Sequence, residues 1–178
     1  RVTQNAAGTA LTAVSPALTR NPIAFSTLTG IQNVKDYGAS ADDVTNDAPS
    51  FQRAITAASV TPGGKVWVPP GTYRWADTVT MNFSGLHMEC AGIGTQIIYT
   101  GTGDALQLGD NVTTFSNIRV TDCNIQTVTG VRNINVRLVN NVRIRDGNYS
   151  GASTSNIDFT SSTAAIVHGT VIGSIVNG

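Results

Sequence analysis

The sequence has few charged residues and almost no glutamate. Lys, Arg, Asp and Glu make up 12% of the 178 residues, the formal net charge is zero, and Glu89 is the single glutamate. Without an excess of positive charge, the chain lacks the electrostatic footprint of a nucleic-acid-binding protein. Glutamate and lysine are strong helix formers, so their scarcity predicts few long helices. Frequent Val, Ile and Thr favour strands instead.

Long apolar runs are also absent, and cysteines are few. No run approaches the ~20 apolar residues of a membrane-spanning helix, and no signal peptide is visible, so we expect no membrane insertion. The two cysteines, Cys90 and Cys123, are too few for a disulfide framework and lack metal-ligand spacing. We predict that they are buried free thiols, with a disulfide between them as the alternative. We expect neither a metal site nor a cofactor.

The first 33 residues differ from the rest of the chain. They combine alternating Ala and Thr with two prolines, Pro16 and Pro22, and show no strong helical period. We interpret residues 1–33 as an extended N-terminal arm. Its apolar residues are Leu11, Val14, Leu18, Ile23, Phe25 and Leu28. An arm of this kind is expected to pack on the body of the protein or on a neighbouring subunit.

Residues 34–64 form a segment that leads into the rest of the chain and contains one helical pattern. Asp47 suits the N-cap, and a proline two residues later suits the first turn. Phe51, Ile55 and Ala58 fall on one face. The pattern predicts an amphipathic helix over about 48–59, which the sequence "TPGG" ends.

Residues 65–178 consist of short alternating stretches separated by Gly, Asn, Asp and Thr, and they contain a repeat. "NIRVTDCNI" at 117–125 returns as "NVRIRDGNY" at 141–149. The matched polar pairs are Asn117 with Asn141, Arg119 with Arg143, Asp122 with Asp146, and Asn124 with Asn148. A fainter echo, "GLHMECAGI" at 85–93, keeps the apolar alternation but loses the polar residues. A repeat of this length predicts the coils of a parallel β-solenoid, in which like residues stack at ~4.8 Å.

The sequence "GGKVWVPPGTY" at 63–73 predicts the first coil. Val66 and Val68 point inward and Trp67 points outward, while Pro69 and Pro70 end the strand because proline has no N–H to donate. The preceding helix would then cover the open bottom of the solenoid. Stacked asparagines at the later corners would form a hydrogen-bonded ladder.

The segments "VKDYGASADDVTNDAPSFQRAITAA" and "GGKVWVPPGTY" closely resemble the start of the pectate-lyase-like right-handed parallel β-helix superfamily, in the form found in phage tailspikes and tail-fibre depolymerases. The resemblance covers about residues 34–150. It implies an all-β fold: a short, right-handed, single-stranded parallel β-helix with an N-terminal capping α-helix and an extended arm. Asp43 departs from the pattern, since many members have glycine there, and we expect a different turn type. The resemblance specifies the fold more than the activity, because lyases, hydrolases and inert structural spikes share this start.

Asp122 and Asp146 are the candidate catalytic residues. Polysaccharide hydrolases use two carboxyl groups ~5–9.5 Å apart, and residues one coil apart would stack at about 5 Å. The alternative is structural, because an aspartate at a corner usually caps a turn.

Arg119, Arg143 and Arg145 are the candidate glycan-binding residues. The segment 119–145 carries five arginines against Asp122 alone. This local excess suits an anionic glycan, although such arginines also pair with nearby aspartates or with acidic groups on a partner chain.

For several other residues, a functional interpretation competes with a simpler structural one. Asp42, Asp43 and Asp47 crowd one loop, where helix capping and solvated turns explain them without a metal. Trp67 and Trp75 could stack on sugars, but we expect Trp67 to pack under the helix or the arm. The two histidines lack an evident acid or nucleophile partner: His87 is expected to face solvent or the arm, and His168 lies near the end of the chain.

The length from residue 65 onward allows four or five coils, fewer than enzymes of this superfamily generally carry. We therefore expect the coils to continue beyond Gly178 or to be closed by a neighbouring subunit. We predict a virion protein of the phage tailspike or tail-fibre type that forms a homotrimer, contacts other virion tail proteins through its arm and attaches to a host surface polysaccharide.

Two enzymatic alternatives remain open. The chain could be a fragment of a polysaccharide depolymerase, either a lyase or a glycoside hydrolase, or it could belong to a secreted cell-wall enzyme from a plant-associated microbe. For this 178-residue chain alone, we expect no enzyme activity.

Overall fold

A computed structural model describes residues 30–159, 169–172 and 175–176. Within these residues the chain winds through short strands, and all strand pairs are parallel. The strands in chain order are β1 (Ile31–Asn33), β2 (Asp42–Asn46), β3 (Lys65–Val68), β4 (Gly71–Trp75), β5 (Val79–Met81), β6 (His87–Cys90), β7 (Thr95–Tyr99), β8 (Asp104–Gly109), β9 (Phe115–Ser116), β10 (Arg119–Thr121), β11 (Asn124–Thr127), β12 (Arg132–Arg137), β13 (Val139–Asn140), β14 (Val142–Arg145), β15 (Asn148–Ser150), β16 (Ser155–Phe159), β17 (Gly169–Ile172) and β18 (Ile175–Val176). Short 3₁₀ turns occupy Val34–Tyr37 and Gly92–Gly94.

The strands stack into three main sheets, to which each coil contributes in turn. Sheet A has the order β1-β3-β6-β10-β14-β17, sheet B the order β2-β4-β7-β11-β15-β18, and sheet C the order β5-β8-β12-β16. Strands β9 and β13 form a small fourth sheet. Sequence neighbours therefore lie in different sheets, while strands a full coil apart pair. The parallel β-helix predicted from the sequence is confirmed.

The register confirms the repeat, but the coils differ in length. Arg119 pairs with Arg143 and Asn124 pairs with Asn148, so the two similar segments stack residue on residue. In the coils before them, Lys65 pairs with His87 and His87 pairs with Arg119. The spacing of 24 residues thus holds where β9, β10 and β11 meet β13, β14 and β15, and it does not describe the earlier coils.

The helix α1 (Ala48–Ser59) covers the first coils, at the predicted position. Phe51, Ile55 and Ala58 are fully buried, as predicted. The ring of Phe51 lies edge-on to Tyr73, with centroids 5.3 Å apart, and edge-on to Trp75, with centroids 4.8 Å apart. The helix therefore closes the apolar bottom of the solenoid. In the part of the chain that the structure describes, no helix is long and apolar enough to cross a membrane.

Strand β3 has the predicted orientation. Val66 and Val68 are fully buried in a core that continues from coil to coil, and Trp67 between them is partly exposed. The strand ends at Val68, and β4 begins after the two prolines. Proline cannot donate to a sheet, so the chain turns at this point into the next sheet.

Asp47 occupies the N-cap position of the helix, as predicted, but its side chain does not cap the helix. The buried carboxylate instead accepts hydrogen bonds from the backbone N–H groups of Ser40, at 2.7 Å, and Ala41, at 3.2 Å. The Oδ1 atom of Asn46 instead accepts from the backbone N–H of Ala48 at 3.2 Å. The carboxylate of Asp47 thus fixes the preceding loop through two of its backbone N–H groups.

Cys90 and Cys123 form a disulfide, so the prediction of free thiols is wrong and the alternative occurs. Cys90 ends β6, and Cys123 lies between β10 and β11 at the same corner one coil later. Their Cα atoms are 5.0 Å apart. The bond crosses one of the longer coils and joins two successive coils covalently.

Asp43 keeps the kind of backbone conformation that glycine favours, so the expected change of turn type is wrong. Its φ is +61°, in the left-handed region. The guanidinium of Arg74 holds it there, because Nε donates to the carbonyl oxygen of Asp43 at 2.8 Å and Nη2 donates to its Oδ1 at 2.9 Å.

The predicted arm over residues 1–33 lies outside the described residues except for residues 30–33. Within these, Ile31–Asn33 forms β1 and pairs with β3 in sheet A. The prediction for His168 also falls outside the described residues.

Candidate functional site

The outer surface of sheet A carries most of the charged residues that the repeat brings together. Alternate residues of its four central strands are fully buried, namely Val66, Met88, Val120 and Ile144. Because side chains alternate along a strand, their neighbours point outward. We call this outward set the charged face; it comprises Lys65, Trp67, His87, Glu89, Arg119, Thr121, Arg143 and Arg145.

The parallel register arranges the charged face in two columns. One column runs through Lys65, His87, Arg119 and Arg143, and the other runs through Trp67, Glu89, Thr121 and Arg145. Neighbouring strands lie ~4.8 Å apart, so each side chain stands directly above its counterpart.

The lower half of the charged face is internally paired. The Nζ atom of Lys65 lies 2.6 Å from Oε2 of Glu89 and 5.9 Å from the ring centroid of Trp67. The Nε2 atom of His87 lies 2.8 Å from Oγ1 of Thr121 and 3.8 Å from Oε2 of Glu89. The one glutamate of the chain is therefore neutralised locally and does not oppose the arginines above it.

His87 points outward, as expected from its alternation with buried Leu86 and Met88, and it is partly buried among its neighbours on the charged face. Burial lowers its pKa below the ordinary value of 6.5, and the positive charges of Lys65 and Arg119 act in the same direction. The carboxylates of Glu89 and Asp122 oppose this shift but do not overcome it. The imidazole is consequently neutral at neutral pH and adds no charge to the face.

The upper half presents three exposed guanidinium groups. Arg119, Arg143 and Arg145 are all exposed, and Arg119 stands directly below Arg143. Arg145 lies 4.0 Å from the carboxylate of Asp146, with both side chains about half exposed, a geometry that contributes little. Among the described residues, no carboxylate forms an ion pair with Arg119 or Arg143. Stacked guanidinium groups of this kind are suited to carboxylate or phosphate groups, which they bind in a bidentate manner.

The other two arginines of the local excess lie elsewhere. Arg132 and Arg137 belong to sheet C, where both contact the nearly buried carboxylate of Asp104 at 3.1 and 3.3 Å. Arg132 also contacts Asp158 at 2.7 Å. These arginines are held by carboxylates from neighbouring coils, so the excess of positive charge reduces to the three residues on the charged face.

The structure places Asp122 and Asp146 at equivalent corners of successive coils. Their φ values are +57° and +55°, and each links a strand of sheet A to one of sheet B. The backbone N–H of Asp122 donates to the carbonyl of Arg145 at 3.0 Å. A left-handed corner is a position where aspartate is used for its backbone conformation, which supports the structural interpretation.

The asparagines at the neighbouring corners confirm the predicted ladder. Asn117 and Asn141 both have positive φ, and Nδ2 of Asn141 donates to Oδ1 of Asn117 at 2.5 Å. In sheet B, Oδ1 of Asn124 accepts from the backbone N–H of Asn148 at 3.1 Å.

The three aspartates of the loop before the helix have separate structural roles. The carboxylate of Asp42 accepts from the backbone N–H of Thr45, at 2.8 Å, and of Val44, at 3.0 Å, which lowers its pKa to about 2. Asp43 pairs with Arg74, as described above, and Asp47 is buried. No group of three or more His, Cys, Asp or Glu side chains within the described residues is placed to hold a metal ion.

The two tryptophans have different environments. Trp75 is fully buried beneath Phe51 of the helix and cannot stack on a sugar. Trp67 is partly exposed on the charged face beside Lys65. The tryptophan under the helix is thus Trp75 rather than Trp67. The other expected contact of Trp67, the N-terminal arm, lies outside the described residues apart from residues 30–33.

The comparisons with known proteins agree with this architecture. Residues 31–88 match the sequence model of a family described as rhamnogalacturonase A/epimerase, pectate lyase-like. This stretch contains helix α1, the first two coils and, from the charged face, Lys65, Trp67 and His87.

Relatives include both phage proteins and polysaccharide-modifying enzymes. The preneck appendage protein of Bacillus phage PZA is 30% identical over 146 residues, which cover 72% of this chain and 16% of that protein. Mannuronan C5-epimerase AlgE6 of Azotobacter vinelandii is 31% identical over 128 residues, covering 71% of this chain and 13% of that enzyme. The chain therefore spans a small part of the curated relatives that it matches.

Among solved structures, the pre-mature gene product 12 of bacteriophage phi29 superposes with a TM-score of 0.63 at 28% identity, covering 74% of this chain and 19% of that one. The family match, these relatives and the stacked parallel coils together confirm the resemblance of this chain to the pectate-lyase-like parallel β-helix superfamily.

Proposed function

We propose that this chain is part of a phage appendage of the tailspike or tail-fibre type, and that its charged face attaches to an acidic host surface polysaccharide. The observation that carries the proposal is the group of three exposed guanidiniums, Arg119, Arg143 and Arg145, which no carboxylate of the described residues neutralises closely. The similarity to a preneck appendage protein and to a phage gene product supports a virion role.

The charged face suits a polymer better than a small ligand. It is an open surface rather than a cleft, and its cationic side chains repeat along the solenoid axis, one coil above another. A polyanion with regularly spaced acidic groups meets several of these side chains at once. Partly exposed Trp67, at the lower end, adds an aromatic surface for a sugar ring.

The proposed partners include two further copies of the chain and the neighbouring virion proteins. A largely apolar groove lies beside α1 and borders the point where the chain approaches β1; it is lined by Tyr37, Pro49, Gln52, Arg53, Thr56, Ala57 and Val60. Val60 is 81% exposed there. This groove supports the proposal that the solenoid packs against an apolar segment, either its own arm or another subunit. The mass of the chain in solution tests the trimer, and a stable monomer at micromolar concentration contradicts it.

Calorimetric titration with polymannuronate tests the binding proposal. Wild-type protein is expected to bind this polyanion with an affinity that falls as salt rises, because exposed charges are screened. The triple substitution Arg119→Gln, Arg143→Gln and Arg145→Gln is expected to weaken binding at least tenfold. Lys35→Gln is the control, since Lys35 is exposed in the turn Val34–Tyr37 and belongs neither to the charged face nor to the lining of the groove beside α1. Equal affinities of the triple variant and the wild type contradict the proposal.

The second candidate function is modification or cleavage of an acidic polysaccharide. It is favoured by the family match and by the similarity to mannuronan C5-epimerases. It predicts unsaturated ends, reducing ends or epimerised residues in the polymannuronate after incubation, which absorbance, reducing-end assays and proton NMR detect. Binding without any of these products supports the attachment function.

A further inference from the structure

A concave surface lies on sheet B, next to the open charged face of sheet A. It encloses a cavity of about 250 Å³. The residues that line it are Ile93, Thr95, Gln96, Asn124, Ile125, Gln126, Asn148 and Ser150. We call this surface the amide groove, since side-chain amides supply half of its lining. It is separated from the charged face by the corners of Asp122 and Asp146.

None of the described residues that line the amide groove carries a charge, in contrast to the neighbouring sheet. The register stacks Gln96, Asn124 and Asn148 in one column and places Gln126 beside Ser150 in the next. All of these residues offer neutral donors and acceptors. A charged ligand group would lose its hydration here without gaining a counter-charge, so the groove selects against ions.

The groove has a fixed floor. The Nδ2 atom of Asn124 donates to the carbonyls of Gly92 and Thr95, each at 3.0 Å, while its Oδ1 accepts from the backbone of Asn148. These bonds hold the amide of Asn124 in one orientation. The floor is therefore preformed and has little conformational freedom to lose when a ligand binds.

The rim of the groove keeps hydrogen-bonding capacity. Gln96 and Gln126 are both exposed, and Nε2 of Gln96 donates to Oε1 of Gln126 at 3.1 Å. Among the described residues, no hydrogen bond engages Oε1 of Gln96 or Nε2 of Gln126. The pair thus keeps a free acceptor on Gln96 and free N–H donors on Gln126, a combination that matches a hydroxyl group, which both donates and accepts.

An apolar side chain borders these amides. Ile93 projects from the 3₁₀ turn Gly92–Gly94 and is fully exposed, with a relative accessibility of 101%. Its position beside a polar groove gives the site one apolar wall. Sugars combine hydroxyl edges with an apolar C–H face, so the groove offers a complementary surface to each.

We propose that the amide groove binds an uncharged saccharide unit and forms a second carbohydrate subsite beside the charged face. This inference rests on the proposed function, because it assumes that the solenoid recognises a polysaccharide. It extends that function by naming the ligand class: a heteropolysaccharide with neutral residues for the groove and acidic residues for the arginines. The small cavity holds a short unit rather than a drug-sized ligand, for which ~300–1,000 Å³ is usual.

The test is an NMR titration of the ¹⁵N-labelled 178-residue chain with neutral disaccharides. Maltose, cellobiose, lactose and mannobiose are added up to about 50 mM, which detects dissociation constants near ~10 mM. At least one is expected to shift the side-chain amide signals of Gln96 and Gln126 in a saturable and salt-independent manner. The double substitution Gln96→Ala and Gln126→Ala is expected to weaken that affinity about tenfold, since it removes two or more hydrogen bonds.

The matched control is Gln107→Ala, which removes a glutamine from sheet C whose amide donates to the carbonyl of Gly109. This variant is expected to bind like the wild type. The proposal is overturned if none of the four disaccharides shifts the Gln96 and Gln126 signals, or if the double variant keeps the wild-type affinity, read from the side-chain amide signals of Asn124 and Asn148 in both proteins. The arginine triple variant separates the two proposals: neutral disaccharides are expected to bind it normally, whereas polymannuronate is not. Loss of only one binding mode therefore identifies which proposal fails.

Discussion

The indole ring of Trp75 packs edge-on against the phenyl ring of Phe51, with the centroids 4.8 Å apart and the planes at 77°. Both side chains are fully buried. Phe51 belongs to α1 and Trp75 ends β4, so this contact joins the cap to the solenoid. Because the strands beneath the helix would otherwise expose an apolar end, the pair links the stability of the cap to that of the first coils.

We predict that Phe51→Ala lowers the free energy of unfolding by about 3–5 kcal/mol, since it removes a buried ring and leaves a cavity. Urea denaturation followed by tryptophan fluorescence measures the change. Phe83→Ala is the control, because Phe83 is 37% exposed and its truncation is expected to cost less than about 1 kcal/mol. Similar losses for the two variants contradict the assigned role of Phe51.

The disulfide gives a second prediction. Cys90 and Cys123 are separated by 33 residues, and cross-links that close loops of this size stabilise by about 3–4 kcal/mol through the unfolded state. The double substitution Cys90→Ala and Cys123→Ala is expected to lower the urea midpoint accordingly. Reductant is expected to destabilise the wild type but to leave the double variant unchanged. A wild type that keeps its midpoint after complete reduction contradicts this prediction.

The fold could be predicted because its signals are local or repeated. Helix α1 follows from the spacing of Phe51, Ile55 and Ala58, and the stacking of β10 on β14 follows from two similar segments with four matched polar residues. The same repeat identified Arg119 and Arg143, while Arg145 followed from the local excess of arginine over residues 119–145. In each case the sequence carries the periodicity that the backbone geometry imposes.

The remaining features depend on coil lengths that the strong repeat does not reveal. The echo at 85–93 aligns with 117–125, and the structure pairs these segments, with His87 beside Arg119. Aligned in this way, Cys90 falls one position from Cys123, and His87 falls in the column of Arg119 and Arg143. The echo was therefore the sequence signal for the disulfide and for the position of His87. It was weak because the outward residues differ between the two coils. The pairing of Arg132 with Asp104 could not be predicted either, because the coil that separates them is longer than the 24-residue repeat.

A pH effect is expected from His87. Burial lowers its pKa below 6.5, while in the unfolded chain the pKa is near 6.5, so the unfolded state binds the proton more readily in the interval between the two values. Its contribution to stability is complete above about pH 6.5 and is lost as the pH falls through the lowered pKa. Urea midpoints at about pH 7.5 and pH 5 measure it.

The variant His87→Gln separates this effect from other titrations. Glutamine keeps a side chain that can bond to Thr121 but does not titrate, so the midpoint of the variant is expected to fall less over the same interval. The groups that face His87 are Lys65, Glu89, Arg119 and Asp122, and all of them remain in the variant. An equal fall in both proteins assigns the pH dependence to those groups and contradicts the prediction.

Substitutions at Asp146 distinguish a structural role at the corner from a catalytic role. At φ +55° the backbone is left-handed, which asparagine and glycine adopt readily and β-branched residues do not. If the corner conformation is its role, Asp146→Asn and Asp146→Gly are expected to change stability by less than about 0.5 kcal/mol, and Asp146→Val is expected to cost about 1–2 kcal/mol. Urea denaturation measures all three variants, and polymannuronate binding by Asp146→Asn is expected to match the wild type. A catalytic carboxylate predicts instead an equal loss of activity in all three variants, because asparagine and glycine remove the acid as completely as valine does. If Asp146→Asn folds normally but no longer forms product from polymannuronate, Asp146 is a catalytic residue and its role is not limited to the corner conformation. The same conclusion then applies to Asp122, which occupies the equivalent corner one coil earlier.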